Sequence, residues 1–199
     1  GVEDPLVGAV LQDRYRIKRR IAEGGMGVVY EGEHVMIGRR VAIKTLHAHN
    51  ARHPDAIARL QQEAIAATAV GNEHVVEVTD MGRLRDGTAF LVLEYLEGQD
   101  LSDALGKHGP LPVSRVCHIV SQLCEALAAV HAREIIHRDL KPENIFLVRR
   151  GDDPDFVKIV DFGISKIRDG TMTASSRTRT GHTLGTPWFM APEQIEGRK

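Results

Sequence analysis

The residues best equipped for chemistry crowd into one short stretch, Ile-Ile-His-Arg-Asp-Leu-Lys-Pro-Glu-Asn-Ile-Phe, from Ile135 to Phe146. A histidine, an arginine, an aspartate, a lysine and an asparagine stand between two apolar runs. Polar groups set against buried segments are costly unless they pair with one another or hold a ligand. A second aspartate follows downstream in Asp161-Phe162-Gly163. Upstream, Val41-Ala42-Ile43-Lys44 reads as a short strand that places an ammonium beside its buried face, where it needs a counter-charge.

Elements that could position these groups are legible around them. Tyr15 to Ile21 and Gly27 to Glu31 read as a hairpin whose loop is rich in glycine. Val41 to Lys44 gives a third strand, Pro54 to Ala69 an Ala-rich helix, and Val75 to Val78 and Ala89 to Leu93 two more strands. Glu97-Gly98-Gln99 breaks the pattern and reads as a connector. Beyond it the chain turns helical: Val116, Ile119, Val120, Leu123, Leu127 and Val130 fall on one apolar face. Short strands return at Ile145 to Val148 and Val157 to Val160. Arg168 to Gly181 is polar, with several Ser and Thr, and reads as a surface loop. No internal repeat is visible.

Composition narrows the function classes. The chain has 199 residues, of which 42% are hydrophobic and 27% charged, as in an ordinary globular domain or two small lobes. A net charge of −1 supplies no field to recruit nucleic acid or an anionic membrane. No run approaches the roughly 20 apolar residues of a membrane span. Cys117 and Cys124 are too few for a disulfide framework and read as small core residues of a helix, which fits a reducing compartment. The histidines show no metal-ligand spacing.

His137-Arg138-Asp139-Leu140-Lys141-Pro142-Glu143-Asn144, followed by Asp161-Phe162-Gly163, resembles the catalytic loop and metal-binding motif of Hanks-type serine/threonine protein kinases. The other parts follow in family order. Ile21 to Val29 resembles the glycine-rich loop over ATP, where Gly24, Gly25 and Gly27 let backbone N–H groups approach phosphates; Ala22 departs from the pattern at the first expected glycine. Lys44 matches the lysine that holds the α- and β-phosphates, and Glu63 the helix glutamate that pairs with it. Phe90 to Gly98 resembles the hinge, with the Glu94 carbonyl and Leu96 amide on the adenine edge; Ile21, Val29, Ala42 and Phe146 would enclose the purine. Gly185 to Glu193 resembles the segment where the family docks peptide, with Thr186 bridging to the catalytic residues.

The resemblance implies an α+β, two-lobed fold: a mostly antiparallel N-lobe over residues 15–93 with one main helix, a hinge at 94–98, and a helical C-lobe over 99–199, after a flank of residues 1–14. The C-lobe reads as cut short on its C-terminal side. Implied chemistry is phosphorylation of Ser/Thr hydroxyls on proteins, with ATP and Mg²⁺ (or Mn²⁺) as cofactors. Asp139 orients or accepts the hydroxyl proton, Lys141 neutralises the transferred phosphate, and Asn144 and Asp161 hold the metal. Arg138 and Lys166 would meet a phosphate on Thr178, Thr180 or Thr183, switching the enzyme on. Expected partners are protein substrates and a second copy for trans-autophosphorylation, without nucleic acid or membrane contact in this segment, in the cytoplasm. The rival classes are an ATP-binding pseudokinase or interaction fragment without turnover, and a small-molecule phosphotransferase of the same fold.

Overall fold

A computed structural model describes residues 4–24, 27–47, 54–161 and 187–196. They fall into two compact units, one bounded by Gly1–Gly71 with Val75–Glu97, the other by Asn72–His74 with Gly98–Lys199.

The first unit is a six-stranded antiparallel sheet with one helix. Its strands are β1 (Val10–Leu11), β2 (Tyr15–Glu23), β3 (Gly27–His34), β4 (Arg40–Leu46), β5 (Val78–Arg83) and β6 (Ala89–Glu94), in the order β1-β2-β3-β4-β6-β5. At the start of β2, Tyr15 and Ile17 point inward and Arg16 and Lys18 outward, the alternation of a half-buried strand. One core gathers Tyr15, Ile17, Val28, Tyr30, Val41, Ile43, Phe90 and Val92. Another packs Leu60 and Ala64 of α1 (Pro54–Val70) against Leu46, Ala89 and Leu91. Each such side chain, fully buried, is worth roughly 1.5–3 kcal/mol.

Two elements of this unit depart from the sequence expectation. Residues read as a flank are structured: β1 pairs with β2, Leu11 is buried, and the Ile17 amide donates to the Ala9 carbonyl at 2.9 Å. The Tyr30 hydroxyl donates to Asp4 Oδ2 at 2.9 Å; burial, with Asp4 beside it, pushes that phenol up to about 12. The strand expected at Val75 to Val78 instead begins at Val78, while Val75 and Val76 are buried outside the ladder.

The second unit joins a three-stranded antiparallel sheet, β7 (Gly98–Asp100), β8 (Ile145–Arg150) and β9 (Asp153–Ile159), to α2 (Leu101–His108) and α3 (Val113–His131). A four-residue helix, α4 (Pro192–Ile195), follows later in the chain. Asp100 caps α2, accepting the Asp103 amide at 2.8 Å, and Gly109, at φ +70°, ends it. The core holds Ala104, Ile119, Leu123, Ala126, Ile145, Leu147, Val157 and Ile159. Gln122 stitches α3 to β9: its Oε1 accepts the Val157 amide and its Nε2 donates to the Asp155 carbonyl, both at 3.0 Å. Residues 72–74 join the far side of β9, where the Ile159 amide donates to the His74 carbonyl at 2.7 Å and the His74 ring stacks on Phe156.

Helix α3 is apolar around more of its surface than it buries. Ile119, Leu123, Ala126 and Val130 face the core, while Val116 and Val120 are exposed. Cys117 and Cys124, expected as core residues, are both exposed. At about 100° per residue, Cys117 lies about 200° from Ile119, on the opposite side. Against the sequence expectation, α3 is long and apolar enough to cross a membrane by length and composition; here its buried face packs on β9.

The packing of α1 gives a test. Leu60 is fully buried, whereas Ile65 on the same helix is 65% exposed. Leu60→Ala is expected to lower unfolding free energy by about 2–5 kcal/mol, and Ile65→Ala by less than about 0.5 kcal/mol. Urea denaturation followed by circular dichroism measures both.

Candidate active site

The polar stretch singled out in the sequence forms a tight loop in the second unit. Its end is a single 3₁₀ turn, Pro142–Asn144, closed by the Asn144 amide donating to the Lys141 carbonyl at 2.9 Å. Proline at the start suits such a turn because no donor is lost there. From this turn Asn144, 6% exposed, donates through Nδ2 to the Asp139 carbonyl at 2.8 Å and to Asp139 Oδ2 at 3.3 Å. Lys141 Nζ lies 3.6 Å from the same Oδ2, and both side chains are about a quarter exposed. The carboxylate is thus held by its own loop, with about a quarter of the side chain exposed to solvent.

Val160 joins this loop to Asp161. The β8–β9 ladder pairs Ile145 with Ile159, and one step on, the Val160 amide donates to the Asn144 carbonyl at 3.0 Å. His137, 2% exposed, donates from Nε2 to the Val160 carbonyl at 3.2 Å, and its Nδ1 accepts the Asp139 amide at 3.3 Å. These partners assign the Nε2–H tautomer and make His137 a backbone clamp. Arg138 and Asp161 both adopt left-handed backbone, at φ +60° and +54°. That conformation costs a non-glycine residue energy and persists where surrounding bonds enforce it. One such bond is from Gln194 Nε2 of α4 to the Arg138 carbonyl at 2.8 Å, a contact the sequence did not suggest.

The fit of this loop to a divalent cation rests on its donor set. Because Nδ2 of Asn144 is committed to Asp139, the amide oxygen is its ligand end, and Asp161 adds a carboxylate; both are hard oxygens suited to Mg²⁺.

In the first unit Lys44 is buried on β4, opposite Val29 of β3 and Leu91 of β6. Ala42, two residues earlier, lies opposite Glu31 and Leu93. Gly27 opens β3, where an added Cβ would fall 1.8 Å from the Thr45 carbonyl oxygen, so only glycine permits this strand approach. Ile21 and Gly24 are exposed. The Gly24 carbonyl is met by His47 Nε2 at 2.8 Å. Glu94 closes β6; its Oε1 accepts the Glu77 amide at 2.9 Å, and Tyr95 to Glu97 then leave the ladder. Arg40 reaches this connector, and although desolvation opposes its charge, Glu31, Tyr95 and Glu97 hold its basicity above the usual value. Phe146, in the second unit, lies half-buried on β8 opposite Asp100. Gly25, Lys166, Thr178, Thr180, Thr183, Thr186 and the side chain of Glu63 lie outside the described residues.

The protein kinase domain model matches residues 15–199. The chain belongs to the protein kinase family. It is 48% identical to serine/threonine-protein kinase Pkn1 of Myxococcus xanthus over 98% of this chain and 27% of that protein. It is also 38% identical to PknL of Mycobacterium tuberculosis, over 98% of this chain and 47% of that protein. The chain therefore spans between a quarter and a half of these relatives. A crystal structure of the Mycobacterium tuberculosis PknI kinase domain matches with a TM-score of 0.66 at 30% identity, covering 79% of this chain and 61% of that one. A double mutant of that domain matches at 0.71 and 26% identity, covering 96% and 69%. The kinase fold, with its antiparallel N-lobe sheet and partly helical C-lobe, is the fold of this chain.

The loop geometry of this kinase-family chain makes Asn144 testable. Asn144→Asp keeps the shape, removes the donor to Asp139 and sets a second carboxylate against Oδ2. At pH 8 the substitution is expected to destabilise the fold by about 1–3 kcal/mol. The introduced acid binds its proton more tightly folded than unfolded, so the deficit shrinks as pH falls towards 4. Urea unfolding midpoints across that range provide the check.

Proposed function

We propose that the protein transfers the γ-phosphoryl group of ATP to serine or threonine hydroxyls of proteins. The observation carrying this reading is the Asp139 carboxylate held by the Asn144 amide, with the Lys141 ammonium 3.6 Å away and Asp161 tied in through Val160. The relatives named serine/threonine-protein kinases support the acceptor class.

Phosphoryl transfer passes through a loose, charge-dispersed transition state, so positioning and electrostatics do most of the work. Asp139 orients the incoming hydroxyl and takes its proton at Oδ1 or Oδ2. Lys141 offers a point charge to the transferred phosphate oxygens. Lys44, desolvated on β4, binds the α- and β-phosphates, with Glu63 as counter-ion. Gly24, Gly25 and Gly27 offer backbone N–H groups to phosphate. Glu94 and Leu96 meet the base edge through main-chain groups, and Ile21, Val29, Ala42 and Phe146 supply its apolar contacts. Asn144 and Asp161 would hold Mg²⁺, which when bound neutralises phosphate charge. Thr186 bridges Asp139 and the docked peptide.

Control belongs to the segment between Asp161 and Pro187. Lys166, Arg168, Arg177 and Arg179 outnumber Asp169 there, a composition that repels itself until a dianion arrives. Phosphate on Thr178 or Thr180, with Thr183 next, would be met by Arg138 and Lys166 after trans-autophosphorylation by a second copy. The setting is the cytoplasm, where the exposed thiols of Cys117 and Cys124 stay reduced.

Asp139→Asn preserves shape and removes the base. In the full-length protein kcat towards a Ser/Thr peptide is expected to fall by roughly 10²–10⁴, with ATP affinity little changed, as read by initial rates and nucleotide titration. An unchanged kcat refutes the role given to Asp139.

Peptide mapping of active full-length protein should find phosphate on the 173–183 segment, and a Thr178→Ala/Thr180→Ala double variant should lose most activity. Full activity of that variant, with no phosphate on the segment, ends the regulatory reading.

A further inference from the structure

One side chain grips the connector that leaves β6. Because β6 ends at Glu94 and β7 begins at Gly98, Tyr95, Leu96 and Glu97 belong to neither ladder. Arg40, the first residue of β4, lies beside them because its neighbour Val41 pairs with Glu94. The Arg40 guanidinium carbon stands 4.0 Å from the centroid of the Tyr95 ring. Its Nη1 pairs with Glu97 Oε1, and its Nη2 with Glu31 Oε1 at 3.2 Å. Glu31, 15% exposed, is held in turn by Arg19 at 2.7 Å from the neighbouring strand.

An isolated surface ion pair would mean little, because solvent and side-chain entropy cancel most of it. Arg40 differs in using its face and its edge together. A planar guanidinium can stack on a ring while its N–H groups reach carboxylates in its own plane, which fixes it in more directions than an ammonium could. The two connector residues it grips, Tyr95 and Glu97, are the immediate neighbours of Leu96. Holding both holds the peptide groups between them.

We propose that Arg40 is a positioning residue for the nucleotide base: by clamping Tyr95 and Glu97 to β3 and β4 it fixes the Leu96 main chain and so sets affinity for adenine. This rests on the reading that Glu94 and Leu96 meet the base edge. The part of ATP that depends on Arg40 is the base, whereas the part that depends on Lys44 is the phosphates.

The test is titration of ATP and adenosine into the full-length protein carrying Arg40→Ala, Arg40→Lys, Tyr95→Leu, the Arg40→Ala/Tyr95→Leu pair, or Lys44→Met, with thermal melting to confirm folding. Arg40→Ala should weaken ATP and adenosine by the same factor, about three- to tenfold, and raise KM for ATP more than it lowers kcat. Arg40→Lys, which keeps the charge and loses the stacking plane, should not restore affinity. The double variant should be no worse than either single one, because the two side chains act as a unit. Lys44→Met should weaken ATP and spare adenosine. Wild-type protein that binds no ATP overturns the nucleotide reading, and this inference with it. Wild-type protein that binds ATP, alongside Arg40→Ala that binds adenosine equally well, full rescue by lysine, or additive losses in the double variant, overturns the inference alone.

Discussion

Val160 is the residue on which the candidate site depends. Its amide binds the Asn144 carbonyl and its carbonyl binds His137, so one peptide unit on each side of it ties the 137–144 loop to the strand leading into Asp161. This double tie helps to hold two carboxylates that are distant in sequence in a fixed relation. The tie in turn needs the β8–β9 ladder in register, and that ladder is held by Gln122 and His74, which bind the amide and the carbonyl of Val157. A buried glutamine and a buried histidine are expensive unless their polar atoms are matched, and here the matching partners are strand backbone groups. The cost of burying them therefore becomes specificity of register, because a slip of one residue would orphan them and turn the strand inside out.

The first unit solves a different problem, that of keeping a lysine on a strand whose neighbours are apolar. Ile43 and Leu46 fix β4 by packing in the two cores, so Lys44 is carried into a buried position by its neighbours. Gly27 permits β3 to lie close against β4 at Thr45, and the Gly24 amide donates to the Gly27 carbonyl at the end of β3 that pairs beside Lys44. Rigidity here comes from packing and ladder hydrogen bonds, while the outer edge is dressed with cross-strand pairs such as Lys18 with Glu33, which contribute modestly.

What was legible in the sequence was local. The polar loop ahead of β8 follows from contiguous residue types, and α1 from a run of helix formers; the β2–β3 hairpin follows from alternation broken by glycine. What was not legible depends on partners far along the chain. β1 is too short to carry a pattern and exists because β2 offers an edge. Val75 and Val76 look like a strand, but the preceding residues 72–74 are drawn to β9, and the ladder begins only at Val78. Cys117 and Cys124 share the apolar character of α3 without sharing its buried side. The contacts from Gln194 to Arg138 and from Arg40 to Tyr95 join residues that no local spacing relates.

In the function proposed above, the Asp139 carboxylate, fixed by its neighbours, directs phosphoryl transfer to an aliphatic hydroxyl. The most direct measurement is mass-spectrometric identification of the product when the full-length protein is incubated with Mg·ATP and a mixed peptide library. Phosphoserine and phosphothreonine, formed only with divalent metal present, are the expected products. Nucleotide binding without any phosphopeptide, or phosphotyrosine as the main product, would contradict the proposed function.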